Sequence, residues 1–271
     1  MRLQSLKMRV KGVIRRNRSP KTLKDSSSDA PSLNWSVRRI NTLAKSLPAA
    51  STYLEIGVQH GLTMENIRLP FKWGVEPNPL FELDSLPPGM RLFHGTSDDF
   101  FRTLTHNVVF DVVFLDGLHE WQQTYRDLVN TLKHSHLNTV ILIDDVVPND
   151  QHSALPIEQE ALEARRDAGL PGLEWHGDVY KVMLAIRDLH PNLDFRVIQN
   201  NVDNPQAIVW QKEVVVPRPG SKQTRSVFER YSRISYRDIF IGGETPPYFN
   251  PVSEDSAIQE VLMSLRSSTL R

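Results

Sequence analysis

The sequence predicts an open α/β fold, in which helices cover both faces of a mostly parallel sheet. Apolar strands alternate with amphipathic helical segments between residues 35 and 143, and this is the pattern of repeated strand–helix units. The segment 110–115 is apolar on both faces, as a central parallel strand should be. Four strands are followed by acids or a glycine turn, at 55–61, 76, 116 and 144–145. In such sheets the ligand crevice lies beyond the carboxyl ends of the strands, so these residues predict a ligand site there.

The predicted elements follow a regular order up to Pro148. A helix over 35–47, with apolar residues at helical spacing, precedes a strand at 52–56 and a helix after Gly61. Further strands are predicted at 72–76, 91–94, 110–115 and 139–143, with helices at 98–104 and 121–132 between the last three.

The pattern is less regular beyond Pro148. Residues 149–178 predict no strand and are interpreted as a lid or an inserted helix near 158–166, followed by a helix over 179–189. The segments 195–198 and 207–210 are rich in β-forming residues and predict an antiparallel hairpin that closes the sheet. Residues 217–226 are expected to be exposed, and 228–268 to add one or two helices.

Composition narrows the class of protein. With 271 residues, 39% hydrophobic and 24% charged, the chain has the composition of a soluble globular protein. The absence of cysteine excludes disulfides, thiolate nucleophiles and cysteine-based zinc sites, and it fits a cytoplasmic location. No apolar run approaches the roughly 20 residues that a membrane-spanning helix needs.

The charge is unevenly distributed along the chain. Residues 1–24 hold nine basic residues and no acid, although the whole chain has a formal net charge of zero. We therefore predict a basic N-terminal arm and linker over 1–34, a main domain over 35–215 and a C-terminal extension over 216–271. The arm is either a solvated leader or a short amphipathic helix that contacts an anionic surface, such as the inner face of a membrane. The acidic remainder argues against nucleic acid as a partner.

The turn after the first strand predicts a nucleoside site. Gly57 and Gly61 allow a ligand to approach the backbone, next to the acid Glu55. Gln59 stands where a dinucleotide fingerprint has a glycine, so the turn suits a ligand without phosphates, such as S-adenosyl-L-methionine (SAM). Glu76 ends the second strand, where a carboxylate can accept hydrogen bonds from both ribose hydroxyls; the alternative is a helix-capping acid.

The later strand ends predict a cluster of acids. Asp116, Asp144 and Asp145 end neighbouring strands, and three carboxylates repel one another unless a cation or a proton lies between them. Oxygen ligands suit Mg²⁺, Ca²⁺ or Mn²⁺. The alternative is that Asp116 contacts cofactor or water, while Asp144 and Asp145 cap the next segment. The neighbouring His119 is a candidate proton acceptor, or else it anchors the start of the following helix.

Five strand–helix alternations that end in a hairpin resemble the class I SAM-dependent methyltransferase fold. The resemblance covers about 35–215 and implies a Rossmann-like sheet of seven strands, mostly parallel, with an antiparallel last strand. Residues 110–119, 125–128 and 143–148 are similar to the small O-methyltransferases of the catechol, macrolide-sugar and rhamnosyl types, and most of all to uncharacterised bacterial members.

The resemblance also implies roles for individual residues. Asp116, Asp144 and Asp145 would bind a magnesium ion, and His119 stands at the position of the catalytic lysine of the catechol type. Ser97 and Asp98 would lie beside the adenine of SAM, although either could instead be a helix N-cap.

The acceptor site is the least defined part of the prediction. Trp175 could stack on a sugar face and Lys181 could hold a carboxylate or phosphate, or both could be ordinary surface residues. We expect a SAM-dependent O-methyltransferase that acts on a hydroxyl of a small molecule or glycan, either as a monomer or as a homo-oligomer. The alternatives are a metal-independent N-methyltransferase and a non-catalytic module that docks on a membrane or glycan-assembly complex.

Overall fold

Eight strands form one sheet in this computed structural model, which describes residues 34–82, 86–199, 205–213 and 222–269. In chain order the strands are β1 (Thr52–Ile56), β2 (Phe71–Glu76), β3 (Met90–His94), β4 (Phe110–Leu115), β5 (Ser135–Ile143), β6 (Leu193–Ile198), β7 (Ala207–Gln211) and β8 (Pro251–Val252). The sheet order is β3-β2-β1-β4-β5-β7-β6-β8. Strand β7 is antiparallel to both of its neighbours, and the other pairs are parallel.

Helices cover both faces of the sheet. They are α1 (Trp35–Ser46), α2 (Leu62–Asn66), α3 (Ser97–Thr103), α4 (Trp121–Leu132), α5 (Glu158–Asp167), α6 (Lys181–Leu189), α7 (Lys222–Tyr231), α8 (Tyr236–Ile239) and α9 (Glu254–Thr269). Alternate side chains of β4 enter different cores, because successive residues of a strand point to opposite faces. Val113 packs in the core that contains α4 and α6, whereas Val112 packs in the core that contains α1 and α9.

The predicted fold class is confirmed, with one addition. The mostly parallel sheet, the antiparallel β7 and the helices on both faces are present as expected. The additional strand β8 has only two residues, which is too short to produce an alternating pattern in the sequence. It forms because the left-handed Asn250 turns the chain back onto β6, where the Gln199 N–H donates to the Val252 carbonyl at 3.0 Å.

The C-terminal segment packs on the sheet. Ala257, Val261 and Leu265 of α9 are buried in the same core as Ile40 and Leu43 of α1. The boundary predicted at 215–216 stays a prediction, as does the role of the basic arm, because residues 1–33 lie outside the described residues. Residues 217–221 of the segment predicted to be exposed also lie outside them. Within the described residues, no helix is both long and apolar enough to cross a bilayer.

Candidate active site

A cavity of about 840 Å³ lies at the carboxyl ends of β1, β2 and β4. Its walls are the turn after β1, the end of β2, the start of α3, the turn after β4 and parts of the segment before α6. The lining residues are Asn34, Glu55–His60, Leu62, Thr63, Val75–Asn78, Leu80, Thr96, Ser97, Asp116–His119, Gln123, Asp127, Glu158, Leu173 and Trp175. The cavity therefore occupies the crevice that the strand ends predict.

The cavity lining is strongly acidic. Five carboxylates contribute to it: Glu55, Glu76, Asp116, Asp127 and Glu158. No lysine or arginine of the described residues lines it. Such a lining favours a ligand with a net positive charge and disfavours one with a net negative charge, such as a ligand that carries phosphates, since like charges repel.

The turn after β1 brings two strand ends into direct contact. Gly57 has a φ of +89°, and a β-carbon on it would lie 1.8 Å from the backbone oxygen of Asp116. Its N–H donates to the Val75 carbonyl at 2.9 Å. Only glycine fits this position, because it allows the left-handed conformation and the close approach of the turn after β4. Gly61 also has a positive φ and is the N-cap of α2.

Glu76 fixes the shape of that turn. Its Oε2 accepts the N–H groups of Val58 and Gln59 at 3.1 and 2.9 Å, and its Oε1 accepts the N–H of Asn78 at 2.8 Å. The carboxylate thus accepts hydrogen bonds from three backbone N–H groups at the edge of the cavity.

Glu55 is a buried acid at the base of the cavity. It is 2% exposed and accepts a hydrogen bond of 2.7 Å from the Tyr53 hydroxyl. Burial raises the pKa of Glu55 to about 8, against the hydrogen bond from Tyr53, and the negative charge of Asp116 acts in the same direction as burial.

Asp116, His119 and Asp145 come together beside the cavity. One ligand atom from each lies within 4.8 Å of the others. His119 Nε2 is 3.6 Å from Asp116 Oδ1 and 3.1 Å from Asp145 Oδ2. Asp145 adopts a left-handed conformation with a φ of +59°, which is uncommon outside glycine and occurs often at functional sites.

His119 is oriented by Trp175. Its Nδ1 lies 3.0 Å from the Trp175 carbonyl oxygen, so Nδ1 carries a hydrogen and Nε2 faces the two carboxylates. Its ring stacks on the indole at a centroid distance of 4.6 Å. Burial lowers the pKa of His119, but the hydrogen bond to Asp116 and the charge of Asp145 outweigh burial and raise this pKa to about 9.

Asp144 is the immediate neighbour of this cluster but is not one of the three residues whose ligand atoms converge. Its Oδ2 accepts from Gln206 Nε2 at 3.1 Å, and its Oδ1 accepts the Asp145 N–H at 2.9 Å. The group whose ligand atoms converge is Asp116, His119 and Asp145, and the metal-ligand role of Asp144 stays a prediction. The sequence pattern assigns both acids after β5 to one edge, but consecutive side chains point in different directions.

His176 is a further residue of the cluster that the strand-end pattern does not reveal. Its Nε2 lies 3.9 Å from Asp145 Oδ1, and its buried Nδ1 has no hydrogen-bond partner among the described residues. Burial, together with the charge of His119, lowers the pKa of His176 to about 4, so its ring is neutral at pH 7. Its place in a loop gives no periodic signal in the sequence.

Residues 54–146 match the model of a family described as a methyltransferase domain. This match covers about a third of the chain, and that part is a methyltransferase domain. The matched residues run from β1 to just beyond β5, so they include the glycine turn, Glu76 and every member of the Asp116–His119–Asp145 cluster.

The chain is similar to solved methyltransferase structures over about two thirds of its length. The O-methyltransferase of Bacillus cereus in complex with SAH is 16% identical, with 68% of this chain and 82% of that chain covered and a TM-score of 0.45. The SAH-bound methyltransferase PaMTH1 of Podospora anserina is 14% identical, with coverages of 69% and 80% and a TM-score of 0.48. The O-methyltransferase TomG of Streptomyces achromogenes, involved in tomaymycin synthesis, is 17% identical, with coverages of 68% and 81% and a TM-score of 0.43. A comparison with curated proteins finds no match.

The methyltransferase cavity contains most of the predicted cofactor residues. Glu55, Gly57, Glu76, Ser97 and Asp116 line it. Asp98 does not line it and lies 3.4 Å from Arg126 instead. Gly61 acts through the backbone as the N-cap of α2. The N-cap of α3 is Thr96, whose side chain accepts the Asp99 N–H, so neither Ser97 nor Asp98 caps this helix.

The two predicted acceptor residues differ in position. Trp175 lines the cavity. Lys181 is 6% exposed and donates to Asp178 Oδ2 at 2.9 Å, outside the cavity lining. Asp178 also accepts the N–H of Trp121, so this ion pair joins α6 to the start of α4.

Proposed function

We propose that this methyltransferase transfers the methyl group of SAM to a hydroxyl group of a small molecule or sugar. The acidic lining of the cavity is the observation that supports this proposal most. SAM carries a sulfonium and an ammonium cation against one carboxylate, so its net charge is positive, whereas a dinucleotide carries a negative pyrophosphate. Five acidic side chains line the cavity, with no lysine or arginine among the described lining residues. Even with Glu55 largely protonated near pH 7 and His119 charged, acidic groups outnumber cationic ones, so the lining suits SAM and repels a pyrophosphate.

The cofactor would lie along the carboxyl ends of β1 and β2. Glu76 Oε1 accepts one backbone hydrogen bond from the described residues and retains capacity for a ribose hydroxyl. Gly57 would let the ligand lie next to the backbone, since it lines the cavity, and Ser97 would face the adenine. Asp98 remains a weaker candidate for that contact because it lies outside the cavity lining.

The Asp116–His119–Asp145 cluster has the donor chemistry of a divalent metal site. Two carboxylates and one imidazole nitrogen lie close enough to share an ion, and Nε2 of His119 faces both carboxylates. When bound there, a divalent cation would polarise the acceptor hydroxyl and lower its pKa. Asp116 would then border both the cofactor and the acceptor, since it lines the cavity.

His119 is either a metal ligand or the proton acceptor. Without a cation, the two carboxylates keep the imidazole protonated near pH 7, because its pKa is raised to about 9. A protonated imidazole cannot accept a proton from the hydroxyl. The base role therefore requires that another positive charge balances Asp116 and Asp145.

The acceptor would approach past Trp175, Leu118 and Leu173. Both leucines are exposed side chains of the cavity wall, at 51% and 81%. Apolar surface of this kind favours an acceptor with an apolar or ring face. In-line transfer then depends mainly on how well the wall orients the hydroxyl towards the methyl group.

Isothermal titration with SAH tests the cofactor assignment. We expect micromolar binding of SAH and no binding of NAD⁺, since the lining repels the pyrophosphate. Equal binding of both ligands, or of neither, would contradict the assignment.

The Asp116→Ala variant tests the chemistry. We expect it to lose methyl transfer from labelled SAM to phenols or glycans while SAH binding persists. Transfer at the wild-type rate in this variant would remove the cluster from the mechanism.

A metal-independent N-methyltransferase is the second candidate. The same acidic lining would attract a protonated amine acceptor, and this charge complementarity is the observation that favours an amine. Methyl transfer that persists in EDTA, on an amine and not on its hydroxyl analogue, would support the N-methyltransferase over the O-methyltransferase.

A further inference from the structure

A buried chain of polar side chains leads from the start of α9 to the acid cluster. It consists of Glu254, Arg39, Gln206 and Asp144, and none of these residues lines the cavity. Arg39 is 0% exposed, Gln206 1% and Asp144 9%. Buried polar groups are costly unless they are paired, so a connected series of this length indicates a role beyond packing.

This polar chain connects four parts of the sequence: α1, the end of β5, the segment before β7 and α9. Arg39 of α1 donates from Nε to Glu254 Oε2 at 2.9 Å and from Nη1 to Gln206 Oε1 at 2.9 Å. Gln206, the residue before β7, donates from Nε2 to Asp144 Oδ2 at 3.1 Å. Helix α9 is thus linked to the end of β5 through two intermediate side chains.

Gln206 is held in one orientation. Its amide oxygen accepts from Arg39, and its amide nitrogen donates both to Asp144 and to Ser36 Oγ, the latter at 2.6 Å. A flipped amide would place its NH₂ group against the guanidinium and its oxygen against the Asp144 carboxylate, so both contacts would be lost. Gln206 therefore presents a donor to Asp144 in a fixed direction.

Asp144 in turn constrains Asp145. Its second oxygen, Oδ1, accepts the Asp145 N–H at 2.9 Å, and its own N–H donates to the Leu115 carbonyl at 3.0 Å. Asp145 has the left-handed φ of +59°, which costs free energy for a residue other than glycine. The hydrogen bond to Asp144 holds this conformation, in which Asp145 Oδ2 reaches His119 Nε2 at 3.1 Å.

We propose that Gln206, Arg39 and Glu254 are positioning residues that hold Asp144 so that it fixes Asp145 in the acid cluster. This inference rests on the proposed metal site for its functional meaning. It assigns Asp144 an orienting role in place of a metal-ligand role, and it gives the first turn of α9 an effect on the active site. Partners of this kind around metal ligands contribute about 10- to 100-fold to metal affinity.

Three variants test the polar chain. Gln206→Met removes the donor to Asp144 at similar volume, and Glu254→Ala removes the partner of Arg39 at the outer end. Glu260→Ala is the matched control, because Glu260 also lies on α9 and pairs with an arginine, Arg196 of β6, outside the polar chain. Mn²⁺ affinity and SAH affinity are measured by titration for each variant, together with the melting temperature.

We expect Gln206→Met to weaken Mn²⁺ binding by about 10-fold or more and Glu254→Ala by a smaller factor. Glu260→Ala should leave Mn²⁺ affinity unchanged, and SAH affinity should be unchanged in all three. Glu254→Gln, which keeps an acceptor for Arg39, should recover most of the loss. If the loss of Mn²⁺ affinity is proportional to the loss of melting temperature in every variant, the control included, the residues of the polar chain act only on stability. That result would overturn the proposal.

A crystal structure of the Gln206→Met protein provides a readout without metal. If Gln206 positions the cluster, Asp145 leaves the left-handed conformation or moves away from His119 Nε2. An unmoved Asp145 overturns the proposal. Wild-type protein that binds SAH but no Mn²⁺ would remove the metal from the proposed function, and this structure would then decide the positioning role by itself.

Discussion

His119 shows how one side chain changes the chemistry expected of a site. The acids at the strand ends predict an all-oxygen site for a divalent cation, which the family resemblance implies is Mg²⁺, but the cluster that forms includes an imidazole nitrogen. Nitrogen ligands favour first-row transition metals over Mg²⁺, which prefers oxygen.

At the residue scale, we predict that the wild-type protein prefers Mn²⁺ or Co²⁺ to Mg²⁺. His119→Asp makes the donor set all-oxygen and should reduce the ratio of Mn²⁺ to Mg²⁺ affinity by about 10-fold. Titration with each ion measures the ratio. The exposed His106 provides the control His106→Asp, which should not change it. An unchanged ratio in His119→Asp would mean that the imidazole does not bind the ion.

The turn after β1 is the element on which the cavity depends. It is shaped by three backbone hydrogen bonds to Glu76 and by the contact of Gly57 with the turn after β4. These contacts join the ends of three parallel strands, so a change in one turn should move the others.

At the element scale, we predict that Gly57→Ala destroys SAH binding and destabilises the protein by about 3 kcal/mol or more. The left-handed φ accounts for about 1–2 kcal/mol of this, and the clash with the Asp116 carbonyl adds the rest. Gly169→Ala isolates the first effect, because Gly169 has a φ of +67° and a β-carbon on it would have nothing within 4 Å. Melting temperature and SAH titration should separate the two variants. Equal losses in both would show that the contact with Asp116 is unimportant.

The free energy of unfolding of the whole molecule depends on the protonation of buried acids. Burial is the largest cause that raises the pKa values of Glu55, Asp116 and Asp144, to about 8, 7 and 7. The folded protein therefore retains protons that the unfolded chain has released above its ordinary carboxyl pKa values. Stability from these groups is present at low pH and is lost as the pH rises towards the folded-state values.

At the scale of the whole molecule, we predict that the metal-free protein becomes less stable between about pH 5 and pH 8. Glu55→Gln should reduce the loss of unfolding free energy between pH 5 and pH 8 by an amount on the order of 1–4 kcal/mol at pH 8. Denaturant unfolding at several pH values in EDTA measures the unfolding free energy. The exposed Glu229 gives the control Glu229→Gln, which should keep the wild-type slope. A wild-type slope in Glu55→Gln would show that Glu55 is not the titrating group.

The sequence by itself determined the fold class and the edge of the sheet at which the ligand site lies. Strand and helix periodicity depends on neighbouring residues, and parallel strands necessarily bring their carboxyl ends to one edge. The glycine turn, Glu76 and Asp116 could be assigned to the site for this reason. The two-residue strand β8 could not be predicted, because it is formed by its pairing with β6 and has no pattern of its own.

Only the tertiary structure decided which side chains meet within that edge. Asp144 and Asp145 are adjacent in sequence, yet one pairs with Gln206 and the other with His119. The choice depends on the left-handed backbone of Asp145 and on partners in α1, before β7 and in α9. Such contacts join residues up to 215 positions apart. No local sequence pattern indicates them, because side-chain direction and long-range packing are determined only when the chain folds.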